Sequence, residues 1–197
     1  MIGSHNTFTY LPIKNKWNKI FKPWYKCQDK DIIQQIHSGT RFFDVRVKFD
    51  KNGALNIVHN KIVFDISEDQ FWKLMNYVKD LAKYLDTKLY FRVILDVRKE
   101  PKDKEHQLKH FQLFLDDFKE ILGERIYLDH SIIYWNWKYT YYSNSQFFNI
   151  IEDHTSVNAK WWEYLLGTRY YAVKIGYKYV NLKTKNDKNN VFLLDFI

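Results

Sequence analysis

The sequence predicts an α/β chain folded as one small, irregular (β/α)8 barrel, a TIM-like domain over residues 1–197. Three observations carry that expectation. Strand-like and amphipathic helical segments alternate from end to end, the pattern of parallel β/α construction. About eight segments have strand character, without linker or internal repeat, and the length lies near the lower limit of about 200 residues for such barrels.

The elements follow in order. Residues 1–3 are strand-like, and a polar stretch occupies 13–26. Residues 29–37 carry Ile32, Ile33 and Ile36 on one helical face, stopped by Gly39 in the C-cap role. Residues 41–49 are β-branched or aromatic enough for a strand, and Asp50-Lys51-Asn52-Gly53 is a turn. Residues 55–64 form the next strand pair or extended segment. Phe71, Leu74, Met75, Val78, Leu81, Ala82 and Leu85 recur at three- and four-residue spacing, which predicts an amphipathic helix. Residues 89–97 are an apolar, β-branched run suited to a buried strand. A second long helix covers 106–122, with Phe111, Phe114, Leu115, Phe118 and Leu122 inward, and Gly123 ends it. Short strands are expected at 126–128, 131–137 and 147–151, and a helical turn at 161–166 closed by Gly167. The last strands are expected at 170–177 and 191–196, with a solvated Lys- and Asn-rich loop at 181–190.

Composition excludes several classes. A hydrophobic share of 46% is enough for a sizeable core, so disorder is not the main state. The single cysteine, Cys27, rules out an intramolecular disulfide and a cysteine-based zinc cage. No stretch of apolar residues is long enough to span a membrane, and residues 1–25 lack the apolar core of a secretory leader. The expected location is therefore cytoplasmic, or outside the cell by a route without a classical signal. The net charge of +8 favours anionic partners in general. Lys, Asn, Ile, Tyr and Phe share A/T-rich codons, however, so charge alone names no partner. Without a run of six like charges or an RNA-reading aromatic motif, no stable nucleic-acid partner is expected.

The charged residues in the strands are more specific. The first strand runs into His5. Alternation puts Asp44 and Arg46 on one side of the second, His59 follows the third, Asp96 and Arg98 share a side, and Asp195 sits among apolar neighbours in the last. Buried ionised groups are costly unless paired or functional. Two histidines beside arginine suit phosphodiester cleavage, one imidazole taking a proton from a hydroxyl and the other protonating the leaving oxygen. Guanidinium matches two phosphate oxygens at once. Arg41 reads as structural, and His37, His106, His110, His130 and His154 as ordinary surface or cap residues.

Five segments carry a resemblance. Gly3-Ser4-His5-Asn6-Thr7, residues 28–46 (QDKDIIQQIHSGTRFFDVR), 55–60 (LNIVHN), 93–100 (VILDVRKE) and 190–197 (NVFLLDFI) together resemble the phosphatidylinositol-specific phospholipase C X domain of the bacterial type. The resemblance implies that His5 is the general base toward the inositol hydroxyl next to the phosphate, and His59 the general acid on the glycerol oxygen. It implies that Asp195 orients His5 and that Arg46 stabilises the pentacoordinate phosphorus. Arg98 would line the phosphate or sugar side of the pocket, Asp153 would bind substrate hydroxyls, and Trp135, with Trp137, would cover the rim. Asn6 stands on the substrate side where bacterial members have aspartate, and Asp44 is the candidate to compensate. Calcium-dependent members carry carboxylates where this chain has Arg46 and Arg98, so no metal and no cofactor are expected.

The implied partner is a phosphoinositide or related small phosphodiester, with peripheral membrane contact through Trp24, Tyr25 or the tyrosines of 139–142, in a monomeric protein. The alternatives are the same chemistry on a soluble nucleotide or cyclic phosphate, and an inactive phosphate-binding module. His5 and Asp195 lie on the first and last strands, so trimming ten residues from either end should abolish activity.

Overall fold

Strand β1 (Ile2–Ser4) lies between β2 (Phe42–Phe49) and β8 (Asn190–Leu194), parallel to both. The computed structural model describes residues 1–21, 25–98, 103–135, 149–152 and 190–194. β2 pairs in parallel with β5 (Leu89–Arg98), β5 with β6 (Ile126–Trp135), and β8 with β7 (Asn149–Glu152). The parallel order is thus β7-β8-β1-β2-β5-β6, and among the described residues the sheet is not closed between β6 and β7.

Two strands depart from the expected barrel. β3 (Leu55–His59) and β4 (Ile62–Val63) form an antiparallel hairpin on the far end of β2. A parallel crossover needs a dozen or more residues, and only residues 50–54 separate β2 from β3. Asp50 makes that tight reversal by accepting the backbone N–H groups of Asn52 at 2.8 Å and Ala54 at 3.0 Å. The two short strands expected at 126–128 and 131–137 are one strand, paired residue for residue with β5 from Leu89↔Ile126 to Arg98↔Trp135. Asp129, in the middle of that strand, is buried in register with Arg92. The elements expected at 161–166 and 170–177, and the loop at 181–189, lie outside the described residues.

Helix α1 (Ile32–His37) begins later than expected because Asp31 is its N-cap. Asp31 accepts the Gln34 N–H while the Gln34 side chain accepts the Asp31 N–H. Ser67 and Gln70 make the same reciprocal cap at the start of α2 (Glu68–Tyr84). α3 (Lys104–Leu122) completes the described helices. Arg41 donates to the Ile36 and Thr40 carbonyls, both at 2.8 Å, which bears out its structural reading.

Strand alternation then separates two environments. Phe43, Val45 and Val47 of β2 and Phe91, Val93, Leu95 and Val97 of β5 share a core with Phe71, Met75, Val78, Phe111, Phe114 and Phe118 of the helices. On the opposite face Phe42, Val191 and Leu193 form a second cluster with Tyr90 packed against it. Gly3 sits in this plug, and a Cβ there would meet Leu193 Cδ2 at 2.7 Å and Val191 Cγ1 at 2.9 Å. Two residues further along the same face, at the C-terminal side of the plug, come His5, Asp44 and Arg92. The apolar plug is the floor on which the polar cluster stands.

Candidate active site

The chain leaves β1 through His5 and turns at once. Asn6 takes a left-handed backbone, φ 48°, which asparagine tolerates better than most residues. Its N–H donates to Asp44 Oδ2 at 3.2 Å, and the Thr7 N–H donates to the Asp44 carbonyl at 2.9 Å. Thr9 Oγ1 donates to the Asn6 carbonyl and accepts the N–H groups of Cys27 and Gln28, tying residues 25–28 onto the turn. Gln28 Nε2 donates to the His5 carbonyl at 3.0 Å.

Arg46 Nη2 lies 3.1 Å from His5 Nε2. A guanidinium has only donors, so His5 must present its Nε2 lone pair, the atom a general base uses. His59, at the end of β3, is fixed from the other side: its Nδ1–H donates to the Tyr25 carbonyl at 2.9 Å, which leaves Nε2 as the reactive atom. The Tyr25 ring packs edge-on to the imidazole at 5.5 Å. Asn60 follows with φ 62°, and its N–H donates to Asp96 Oδ2 at 3.1 Å, so Asp96 anchors the end of β3 to β5. The two reactive nitrogens converge on one group. Asn6 Nδ2 is 3.1 Å from His5 Nε2 and 3.4 Å from His59 Nε2.

Behind the pair lies a buried charge cluster. Asp44 is 0% exposed, Arg92 2% and Arg46 3%. Arg92 reaches Asp44 Oδ1 through Nη2 at 3.1 Å and Nε at 3.2 Å, and Arg46 reaches Oδ2 through Nε at 3.4 Å. Burial pushes the Asp44 carboxyl up, but Arg92, Arg46, His5 and the Asn6 N–H together outweigh it and hold it down at about 2. Asp44 is therefore ionised and orients Arg46 toward His5. His59 is pushed down to about 3, first by burial and then by the Arg46 charge, so the free site holds it neutral.

The structure thus brings together His5, Asn6, Asp44, Arg46 and His59. Asn6 is buried between the rings rather than on an open wall. Arg98 and Trp135 are register partners at the C-terminal ends of β5 and β6. Asp153 and Asp195 lie outside the described residues, as do Trp24, Trp137 and the tyrosines of 139–142. Arg92 escaped the sequence reading, although it is an ionised residue inside the apolar run LYFRVIL and meets the criterion that singled out Asp44. The Tyr25 carbonyl had no side-chain signal at all. A separate cavity of about 620 Å³ beside β3 and β4 is lined by Lys14, Lys48, Lys61, Asn15, Asn18 and Asn56 and contains none of these site residues.

Fold and site define a parallel α/β protein with a histidine pair and a buried arginine at the C-terminal ends of its strands. Residues 13–132 match the family described as phosphatidylinositol-specific phospholipase C, X domain, and the chain belongs to that family. It is 25% identical over 121 residues to the 1-phosphatidylinositol phosphodiesterase of Staphylococcus aureus strain Newman, a match covering 60% of this chain and 34% of the relative. The chain thus spans about a third of the length of the curated relatives it matches. Its fold is similar to that of the phosphatidylinositol-specific phospholipase C from Listeria monocytogenes, with TM-score 0.60 and 16% identity over 100% of this chain and 87% of the other. A double mutant of the S. aureus phospholipase C gives TM-score 0.60 and 16% identity over 100% and 84%.

Proposed function

We propose that the chain is a metal-independent phosphodiesterase that cleaves phosphatidylinositol or a closely related phosphodiester by attack of the neighbouring hydroxyl. His5 Nε2 takes the hydroxyl proton, and the freed oxygen attacks phosphorus. Arg46 stabilises the charge on the non-bridging oxygens, and His59 Nε2–H protonates the departing glycerol oxygen. The products are a cyclic phosphodiester and diacylglycerol, and reversal of the two roles lets water open the ring. The observation that carries this reading is the convergence of two tautomer-fixed Nε2 atoms beside the Arg46 guanidinium. That guanidinium supplies the positive charge at the phosphate, which is why no metal is invoked.

In this reading residues 1–197 form one barrel domain that closes between β6 and β7. Asp195 orients His5 through Nδ1, supported by the β1–β8 register, which ends at Ser4↔Leu194, one residue short of both. Arg98 and Trp135 line the mouth and Asp153 holds substrate hydroxyls. The test is hydrolysis of phosphatidylinositol vesicles with and without a chelator, following cyclic phosphate by ³¹P NMR. Chelator-resistant cleavage to the cyclic product is expected. Chelator sensitivity would overturn the metal-free mechanism, and cleavage of cyclic dinucleotides or short RNA instead would move the substrate to soluble phosphodiesters.

Membrane contact is assigned to the 3-10 turn Lys16–Phe21, where Trp17 is 88% exposed beside Lys14, Lys16 and Lys19. An exposed tryptophan flanked by lysines suits an anionic lipid surface. Trp17→Ala is expected to weaken binding to anionic vesicles about tenfold, as loss of a buried aromatic contact requires. Turnover of a water-soluble substrate should not change, and unchanged vesicle binding would move the contact elsewhere.

A further inference from the structure

Asn6 has a half-used amide. Its Nδ2 is shared between the two imidazoles and also lies 3.5 Å from Cys27 Sγ, whereas its Oδ1 is buried with no hydrogen-bond partner among the described residues. Such an orphan acceptor is costly and calls for a state in which it is used. The backbone is not free to supply that state. The Asn6 N–H is held by Asp44, and its carbonyl accepts from the Thr9 N–H and Thr9 Oγ1. What remains free is rotation of the terminal amide, whose two ends are nearly equal in size.

The described arrangement suits two neutral rings, since Nδ2 can only donate. A proton on His59 Nε2 would set a donor against a donor at 3.4 Å, unless the amide turns. We infer that Asn6 is a positioning residue that keeps the two histidines in opposite protonation states, its Nδ2 donating to the neutral ring while its Oδ1 accepts from the protonated one. This rests on the proposed acid–base reading. At the start of the first step Nδ2 serves His5, the base, and Oδ1 serves His59, the acid. Once His5 has taken the substrate proton and His59 has given its own away, a half-turn of the amide matches the reversed roles. A carboxylate at this position accepts from both rings and would favour protonation of both. The amide distinguishes them. Among the described residues, the charged and titratable groups facing the pair are Arg46 and Asp44 from β2, Arg92 of β5 through Asp44, Asp96 of β5 through Asn60, and Cys27 and Tyr25 from residues 25–28; the proposed reading adds Asp195 on His5.

The test has a part that needs no activity. In ¹⁵N-labelled wild-type protein, acidification should shift the Asn6 side-chain NH2 resonances in the same pH interval in which one of the two imidazoles takes up its proton. The second imidazole should stay neutral through that interval. An Asn6 amide unmoved by imidazole protonation, or two imidazoles protonated together, would overturn the inference even if the enzyme is active. Loss of all phosphodiester cleavage in a wild type that passes this test would instead count against the functional reading. Asn6→Leu, with the same number of side-chain heavy atoms but unable to accept or donate, should lower kcat about tenfold with KM within about twofold, the size of effect one hydrogen bond gives. Asn6→Asp should restore part of kcat and move the pH–rate profile upward. A leucine variant with wild-type kcat and pH profile would show that Asn6 only fills space.

Discussion

Replacing His5 or His59 with alanine is expected to lower phosphodiester turnover about 10²–10⁴-fold in each case, the range for loss of a general acid or base. Neither ring is part of the apolar cores, so thermal unfolding should stay near wild type while activity falls. The double variant should be little worse than either single one, because in the proposed mechanism the two groups serve the same transfer and their losses do not add. The pH dependence separates the roles. Burial and the Arg46 charge keep His59 neutral in the free site, down to about 3, and an acid must be protonated to act. A bound phosphodiester places a negative charge against Arg46, removing much of the repulsion that depresses His59. Binding of a soluble inositol phosphate should therefore draw protons into the site, measured by calorimetry in buffers of different ionisation enthalpy. In His59→Ala that proton uptake should vanish, while in His5→Ala it should persist. Equal uptake in wild type and His59→Ala would remove His59 from the acid role.

The parts of this site legible in the sequence are those with a side-chain signature on a strand. The FFDVRV alternation of residues 42–47 assigned Asp44 and Arg46 to one face because a strand has period two, and the apolar residues between them required the other face. The positions of His5 and His59 after strand-like runs were equally readable. The tautomers were not, because they are set by Arg46 and by a backbone carbonyl of residue 25, contacts between segments remote in sequence. Arg92 was lost for a related reason. The apolar run around it predicts a strand whether or not one position is charged, and only the register Asp44↔Arg92 makes it a site residue. The β3–β4 hairpin shows the same limit in the fold. Strand character at 55–64 was visible, but its direction depended on how few residues remained for the return.

Asp44→Asn is expected to destabilise the folded chain by about 3–5 kcal/mol, because it leaves two buried guanidinium groups facing a neutral amide. The carboxylate is the common partner of Arg92, Arg46 and the Asn6 N–H, and the amide can satisfy them with one oxygen only. One arginine must then meet an NH2 donor within the buried cluster. The effect depends on pH with a definite sign. Folding holds the Asp44 pKa at about 2 against an ordinary 3.8, so its contribution is fully present above 3.8 and is lost as the pH falls toward 2. Urea unfolding from pH 2 to 7 should show the full gap between wild type and variant above pH 4, narrowing toward the acid end without closing. His59 acts in a different window. Its folded value lies below the ordinary 6.5, so it lowers stability progressively as the pH falls from 6.5 toward 3, in the wild type and, reduced by any movement of Arg46, in the variant. Activity should fall with stability held constant, measured well below the unfolding temperature, since Arg46 loses the carboxylate that aims it at His5. Wild-type turnover and an unchanged pH–rate profile would detach Asp44 from the chemistry. A stability gap that stays constant down to pH 2 would detach it from the two arginines as well.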